Sequence, residues 1–146
     1  MNAGAQLRRP VPRPDPLADG FWQAAAKGQL AIQRCAACRI YQHPPRPLCR
    51  ACGGADLGFV PVSGEARLTS WTITHHEVLA GFAPVIPYTV MVVELIEQDG
   101  LYLLSDLVGR EDLRSALRVG MPMRVTFEIQ AEGPSFPQFV PTEGAS

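Results

Sequence analysis

Four cysteines stand at positions 35, 38, 49 and 52, two Cys-x2-Cys pairs with ten residues between them. Thiolates are soft ligands, and a tetrahedral ion needs four of them converging at about 2.3 Å from one point. Two tight turns that each present two sulfurs achieve this with little backbone strain. Gly53 and Gly54 follow the second pair, where such a turn doubles back with positive φ, whereas Arg39 holds the corresponding place after the first. Zinc, one ion per chain, is expected at Cys35, Cys38, Cys49 and Cys52. Iron in the same four-sulfur geometry is the second choice, and disulfides or an iron–sulfur cluster are the remaining ones. A secreted disulfide framework would spread its cysteines along the chain, which this sequence does not. Protein thiolates fill all four positions, so no place is left for water or substrate and the site is expected to be structural.

Other chemistry is harder to assemble. The sequence has no Gly-x-Ser-x-Gly elbow, no glycine-rich phosphate loop and no His-Glu-x-x-His helix. Its histidines are His43, in a proline-rich loop between the cysteine pairs, and the adjacent His75 and His76 near the end of a long strand pattern. Neighbours on a strand point to opposite faces, so at most one of that pair can face a given site, and both read as rim or surface residues. Glu94, Asp99 and Asp106 read as hairpin or strand-end carboxylates. With the cysteines engaged, no free thiol is left for acyl transfer. The pattern is that of a binding or assembly module rather than a complete enzyme.

The elements that would position these residues can be read along the chain. Pro10, Pro12 and Pro14 rule out a helix in the first fourteen residues, which are expected to form an extended arm. Asp15-Pro16 supplies an N-cap and a first-turn proline, and Leu17, Phe21, Trp22 and Ala25 follow at helical spacing until Gly28, which predicts a helix over about 16–27 within a 15–28 segment. Residues 29–60 hold a short apolar strand and the cysteine pairs; a piece this small cannot enclose a core, so the metal must hold it together. Residues 61–146 turn to beta. Strand patterns cover 66–77, 88–95, 101–108, 121–129 and about 135–140, with Met121, Met123, Val125, Phe127 and Ile129 alternating against polar neighbours. A short helical pattern at 110–118 lies between the third and fourth strands. Five strands with a helix in that place is the order of an OB-fold barrel, whereas immunoglobulin-like sandwiches need about seven strands. The fold class expected is therefore mainly β: an N-terminal helix, a metal ribbon, then a five-stranded OB-fold. The loop at 79–87 is apolar and reads as a contact surface.

Charge divides along the same line. The 146 residues carry a formal charge of -1, but residues 1–54 have eight bases against two acids and residues 55–146 five bases against twelve acids. OB-folds that hold single strands combine a basic groove with stacking aromatics. Here the barrel half is acidic, which weighs against nucleic acid. The basic half could face an acidic partner, or the phosphates of a nucleotide handle through Arg46 and Arg50, since guanidinium forks suit phosphate oxygens; the bland reading of both is a solvated surface. No run approaches the ~18 apolar residues of a membrane helix, and no apolar segment follows Arg8 and Arg9, so a soluble, cytoplasmic protein is expected.

Taken in order, Phe21-Trp22, Gly28 through Cys35-x2-Cys38, Pro44-Pro45-Arg46-Pro47-Leu48-Cys49-x2-Cys52-Gly53, Ser63-Gly64, Ser70-Trp71-Thr72, Pro87-Tyr88, Val92-Val93-Glu94-Leu95, Val119-Gly120-Met121-Pro122-Met123 and Phe136-Pro137-Gln138-Phe139-Val140-Pro141 resemble a bacterial and archaeal family known as domain of unknown function thirty-five. The resemblance covers about residues 16–141. It implies a rubredoxin-like zinc ribbon followed by an OB-fold, in an accessory subunit for enzymes acting on coenzyme A thioesters. Partners of the family are thiolase-like proteins, including aldolases of steroid side-chain breakdown, and MaoC-type enoyl-CoA hydratases. The small subunit braces its partner and helps hold the acyl-CoA, while the catalytic residues lie on the partner. Phe21, Trp22, Trp71, Phe82 and Tyr88 are the candidate contacts to partner or acyl-CoA, and Arg46 and Arg50 to the CoA phosphates. Phe21, Trp22 and the 79–87 loop also leave a homodimer open. A nucleic-acid-binding module and a self-sufficient acyl-CoA thioester enzyme are the alternatives.

Overall fold

Asp15 accepts a hydrogen bond from the Ala18 backbone N–H at 2.9 Å and starts a 3-10 turn over Pro16–Ala18. That turn runs into helix α1, Asp19–Ala26, which buries Phe21 and Ala25. The chain then leaves the helix at Gly28, whose φ of 71° and N–H bond to the Ala25 carbonyl close its end. The computed structural model describes residues 10–77, 79–107, 110–130 and 133–142. The first nine residues of the expected arm lie outside these, as do Val108 at the end of the expected third barrel strand and the last four residues. Among the described residues no helix is long and apolar enough to cross a membrane.

The ribbon is a three-stranded antiparallel sheet of β1 (Ala31–Cys35), β2 (Tyr41–Gln42) and β3 (Leu57–Pro61), with β1 in the middle. Helix α1 lies close to β3: a Cβ added to Gly20 would come 2.2 Å from Cδ2 of Phe59, so only glycine permits the approach.

The second sheet has five strands, β4 (Glu65–Thr74), β5 (Tyr88–Leu95), β6 (Tyr102–Leu107), β7 (Pro122–Glu128) and β8 (Phe136–Pro141), in the order β6-β5-β4-β7-β8 with every pair antiparallel. The two outer strands meet through side chains: Ser105 Oγ accepts the Phe139 N–H at 3.0 Å, and Gln138 Nε2 donates to Asp106 at 2.7 Å. These contacts curl the sheet into the OB-like barrel that the strand count predicted. Inward-facing Leu68, Met91, Val93, Leu95, Leu103, Met123 and Phe139 fill it, and Phe21, Leu30 and Ile32 join the same core from the helix and ribbon.

Four details differ from the sequence expectation. A β-bulge between Leu68 and Ser70 shifts the alternation of β4 by one residue, which turns Trp71 and Ile73 to the half-buried side. β4 also stops at Thr74, so His75 and His76 lie beyond it, exposed, and the opposite-faces rule does not govern them. β7 ends at Glu128, leaving Ile129 82% exposed rather than in the inward row. The helical segment between β6 and β7 is a 3-10 helix, Glu111–Ala116, after which Leu117 is already extended.

Candidate functional site

Two matching turns bring the cysteines together. Arg39 N–H bonds the Cys35 carbonyl at 2.9 Å, and Gly53 N–H bonds the Cys49 carbonyl at the same distance. Each turn then needs a left-handed residue after its second cysteine. Gly53 supplies it at φ 73°, and Arg39 supplies it at φ 67° against its own steric preference, with its carbonyl held by Arg34 Nε at 2.8 Å.

All four sulfurs lie within 4.8 Å of one another. Cys35 and Cys52 approach to 3.6 Å, and Cys38 and Cys49 to 3.5 Å. A disulfide would need about 2.05 Å. A tetrahedron with bonds of about 2.3 Å has edges of about 3.8 Å, so the donor set fits an ion bound by four thiolates. The electrostatics agree. Backbone N–H groups of Cys52 and then Ala51 aim at the Cys49 sulfur and bring its thiol from 9.0 to about 6. Cys35 is also lowered, first by the Cys38 N–H. Cys38 goes the other way: the Ile40 N–H lowers it, but desolvation and the sulfurs of Cys49, Cys52 and Cys35 outweigh that and push it up to about 11. The surroundings thus favour the thiolate at Cys49 and Cys35 and the thiol at Cys38.

A buried amide pair shapes the loop between the turns. Gln33 Oε1 accepts from Arg46 N–H at 2.9 Å and from Gln42 Nε2 at 2.6 Å, while Gln33 Nε2 donates to the Arg46 carbonyl at 3.0 Å. Gln42 Oε1 accepts from Arg50 N–H at 2.9 Å, and its Nε2 also reaches the Leu48 carbonyl at 3.2 Å. The residues at 43–45 are thereby presented toward the barrel. Arg46 and Arg50 are themselves exposed, and their backbones carry the loop's bonds.

That loop is one wall of a cleft of about 520 Å³ where arm, helix, ribbon and barrel meet. Pro10 and Pro12 line it from the arm, Phe21 and Trp22 from α1, His43, Pro44 and Pro45 from the ribbon. The barrel contributes Phe82, Val90, Leu104, Ser105, Asp106, Phe136 and Pro137. Its aromatics touch in series. Phe21 meets Trp22 edge-on at 5.0 Å between centroids and His43 at 5.4 Å, and Trp22 meets Phe136 at 6.3 Å. Burial pushes the His43 imidazole below its ordinary 6.5, so it is neutral in the cleft at pH 7.

Of the aromatic candidates, Phe21, Trp22 and Phe82 are brought to the cleft, and Tyr88 stands behind Phe82 with ring centroids 5.1 Å apart. Trp71 is not among the lining residues; it packs against the barrel core. Sequence reasoning missed the roles of His43, Leu104 and Phe136, which come from three distant segments. Leu104 carried a signal: it sits at an outward position of β6 yet is apolar, and it is 75% exposed. Outward Val90 and Val92 on β5 and Tyr102 on β6 extend the same face, whereas the outward residues of β7 are Pro122, Arg124, Thr126 and Glu128.

Comparison with known proteins gives the following. Residues 22–58 match the ChsH2 rubredoxin-like zinc ribbon domain, and residues 59–128 match the ChsH2 C-terminal OB-fold domain. A probable enoyl-CoA hydratase alpha subunit of Thermomonospora curvata is 40% identical over 106 residues, 72% of this chain and 31% of that protein. A DUF35 domain-containing scaffold protein of Pyrococcus furiosus is 29% identical over 92 residues, 62% of this chain and 65% of that one. The chain thus spans about a third of the first relative's length and just under two thirds of the second's. Among solved structures, a chain of the Ltp2-ChsH2(DUF35) aldolase superposes with a TM-score of 0.75 at 34% identity, covering 89% of this chain and 98% of that one. A DUF35 protein of unknown function from Sulfolobus solfataricus shares the fold, with a TM-score of 0.55 at 20% identity over 75% of this chain and 77% of that one.

Proposed function

Because the chain belongs to the DUF35 family of ChsH2-like zinc-ribbon and OB-fold proteins, we propose that it is a non-catalytic subunit that braces an acyl-CoA-processing enzyme, of the thiolase superfamily or the MaoC-type hydratases, and helps hold its substrate. The observation that carries this is the cleft. Its walls come from every part of the chain, its lining is apolar and aromatic, and its size of about 520 Å³ suits a chain-like ligand. Phe21, Trp22 and Phe82 contact the acyl or pantetheine chain. Arg46 and Arg50, which follow the cleft residues Pro44 and Pro45, meet the phosphates. Zinc at Cys35, Cys38, Cys49 and Cys52 is structural, and holds the ribbon wall in place. The outward apolar face of β5 and β6, continuous with the cleft at Val90 and Leu104, supports a partner that covers it. The names carried by the relatives, an aldolase, a scaffold protein and a hydratase subunit, support the same assignment.

The test is co-expression with the acyl-CoA enzyme encoded beside the gene. A stable complex is expected, weakened by Leu104→Arg, together with a change of Trp22 fluorescence on addition of a CoA thioester to the Trp71→Phe protein. The proposal fails if the neighbour neither binds nor changes in activity or solubility, or if the isolated chain itself turns over a panel of thioesters.

A further inference from the structure

A second recess, of about 540 Å³, shares no residue with the cleft. Its walls are Arg110, just before the 3-10 helix, and Leu113 within it, the outward side of β7 through Arg124 and Thr126, and Val140 of β8 with Thr142 just beyond that strand. Residues 55–146 carry only five bases among twelve acids, yet two of those five face this one recess. Arg124 has no ion-pair partner among the described residues; Glu65 is its neighbour across the β4–β7 ladder. Arg110 touches Asp112 at 3.4 Å, but the two side chains are 49% and 68% exposed, and a solvated pair of this kind holds its arginine weakly. Both guanidinium groups therefore keep donors for a third group.

We propose that this recess is an anion subsite for a small phosphate- or diphosphate-bearing molecule. Two guanidinium forks match the charge and the oxygen geometry of a phosphate dianion better than those of a single carboxylate. The Thr126 hydroxyl adds a neutral donor, and Leu113 and Val140 offer an apolar surface to the organic part. The recess is larger than one phosphate needs, which points to a diphosphate or a phosphorylated organic molecule. The site needs only this chain, so it stands or falls apart from the accessory role.

The isotopically labelled full chain is titrated with inorganic pyrophosphate at low salt, and in parallel with adenosine 3′,5′-bisphosphate and a short single-stranded oligonucleotide. Saturable shifts of backbone amides near Arg110, Arg124 and Thr142 are expected, weakening as salt is added. Arg124→Gln and Arg110→Gln should each reduce affinity about ten-fold, Arg124→Lys should do so less, and Lys27→Gln, an exposed base that lines neither recess, should leave it unchanged. Stronger binding of the bisphosphate than of pyrophosphate would identify an organic phosphate as the ligand, and the reverse an inorganic one. The proposal is overturned by absence of saturable shifts around Arg110 and Arg124, by affinity at those positions that survives both glutamine variants, or by an oligonucleotide that outcompetes both small probes.

Discussion

Arg39 and Gly53 perform one task with different side chains. Both take a positive φ behind the second cysteine of a pair, and the left-handed region costs a non-glycine residue about 1–2 kcal/mol. Arg39→Gly keeps the carbonyl that Arg34 grips and should stabilise the metal-loaded protein by about 1 kcal/mol after the entropy of the freer unfolded chain is subtracted, read as a rise in denaturation midpoint. An unchanged or lower midpoint would show that the arginine side chain contributes more than its backbone strain costs. Gln33 presents the opposite case, a side chain whose sequence position hides its importance. On a β-strand a glutamine reads as an ordinary solvent-facing residue, and only the folding of the 43–50 loop over it makes it buried. Gln33→Leu would strand the Arg46 N–H and carbonyl and one proton of Gln42, at about 2–3 kcal/mol. Hydrogen exchange should show the 43–50 amides opening while those of the barrel stay protected. The cysteines were legible because ligand spacing is local; the two glutamines were not, because their partners are supplied by tertiary structure.

At the scale of elements, what carried over from the sequence was the barrel's strand number and order and the place of the intervening helix, since each strand's alternation is a local property, whereas the ribbon has three strands where one was expected. Strand ends and the bulge did not carry over. Alternation continues on paper through Ile129, but pairing with β8 stops at Glu128, opposite Phe136, and no ladder holds the next residue. How the two sheets join was also hidden. Gln98, in the turn after β5, accepts the Tyr41 N–H at 2.8 Å and donates to the Tyr41 carbonyl at 3.0 Å, so a barrel hairpin caps the edge of β2. Nearby, Glu97 Oε1 accepts the Ser63 N–H at 2.7 Å at the connection between the sheets. Gln98→Ala removes both bonds to Tyr41 and should cost about 1–2 kcal/mol. The distinguishing readout is the Tyr41 amide, which should exchange faster with β4, β5 and β7 unaffected. If its exchange is unchanged, the ribbon is held against the barrel by the shared apolar core alone.

For the molecule as a whole, the charge asymmetry and the cleft follow from one arrangement: a basic ribbon, turned around four clustered cysteines, closing over an acidic barrel. His43 lies at that junction and senses acid. Its folded pKa is below 6.5 while the unfolded chain titrates near 6.5, so the unfolded state binds more protons between the two values. Its contribution is fully present above 6.5 and is lost as pH falls toward the folded value; His43→Phe should flatten the fall in melting temperature over that window. Metal removal tests the arrangement more severely. The ribbon contributes few apolar side chains of its own, whereas the barrel encloses a core of Leu, Met, Val and Phe. Chelation should therefore unravel residues between the cysteine turns, remove the His43–Pro45 wall and abolish the response of Trp22 to a CoA thioester, while barrel amides and the packing around Trp71 persist. Cys49→Ser should reproduce this without a chelator. The shared cluster makes the outcome discriminating: Leu30 and Ile32 pack with Leu68 and Met91, so if their anchoring outweighs the metal, barrel and ribbon will melt together and the cleft will survive chelation until they do.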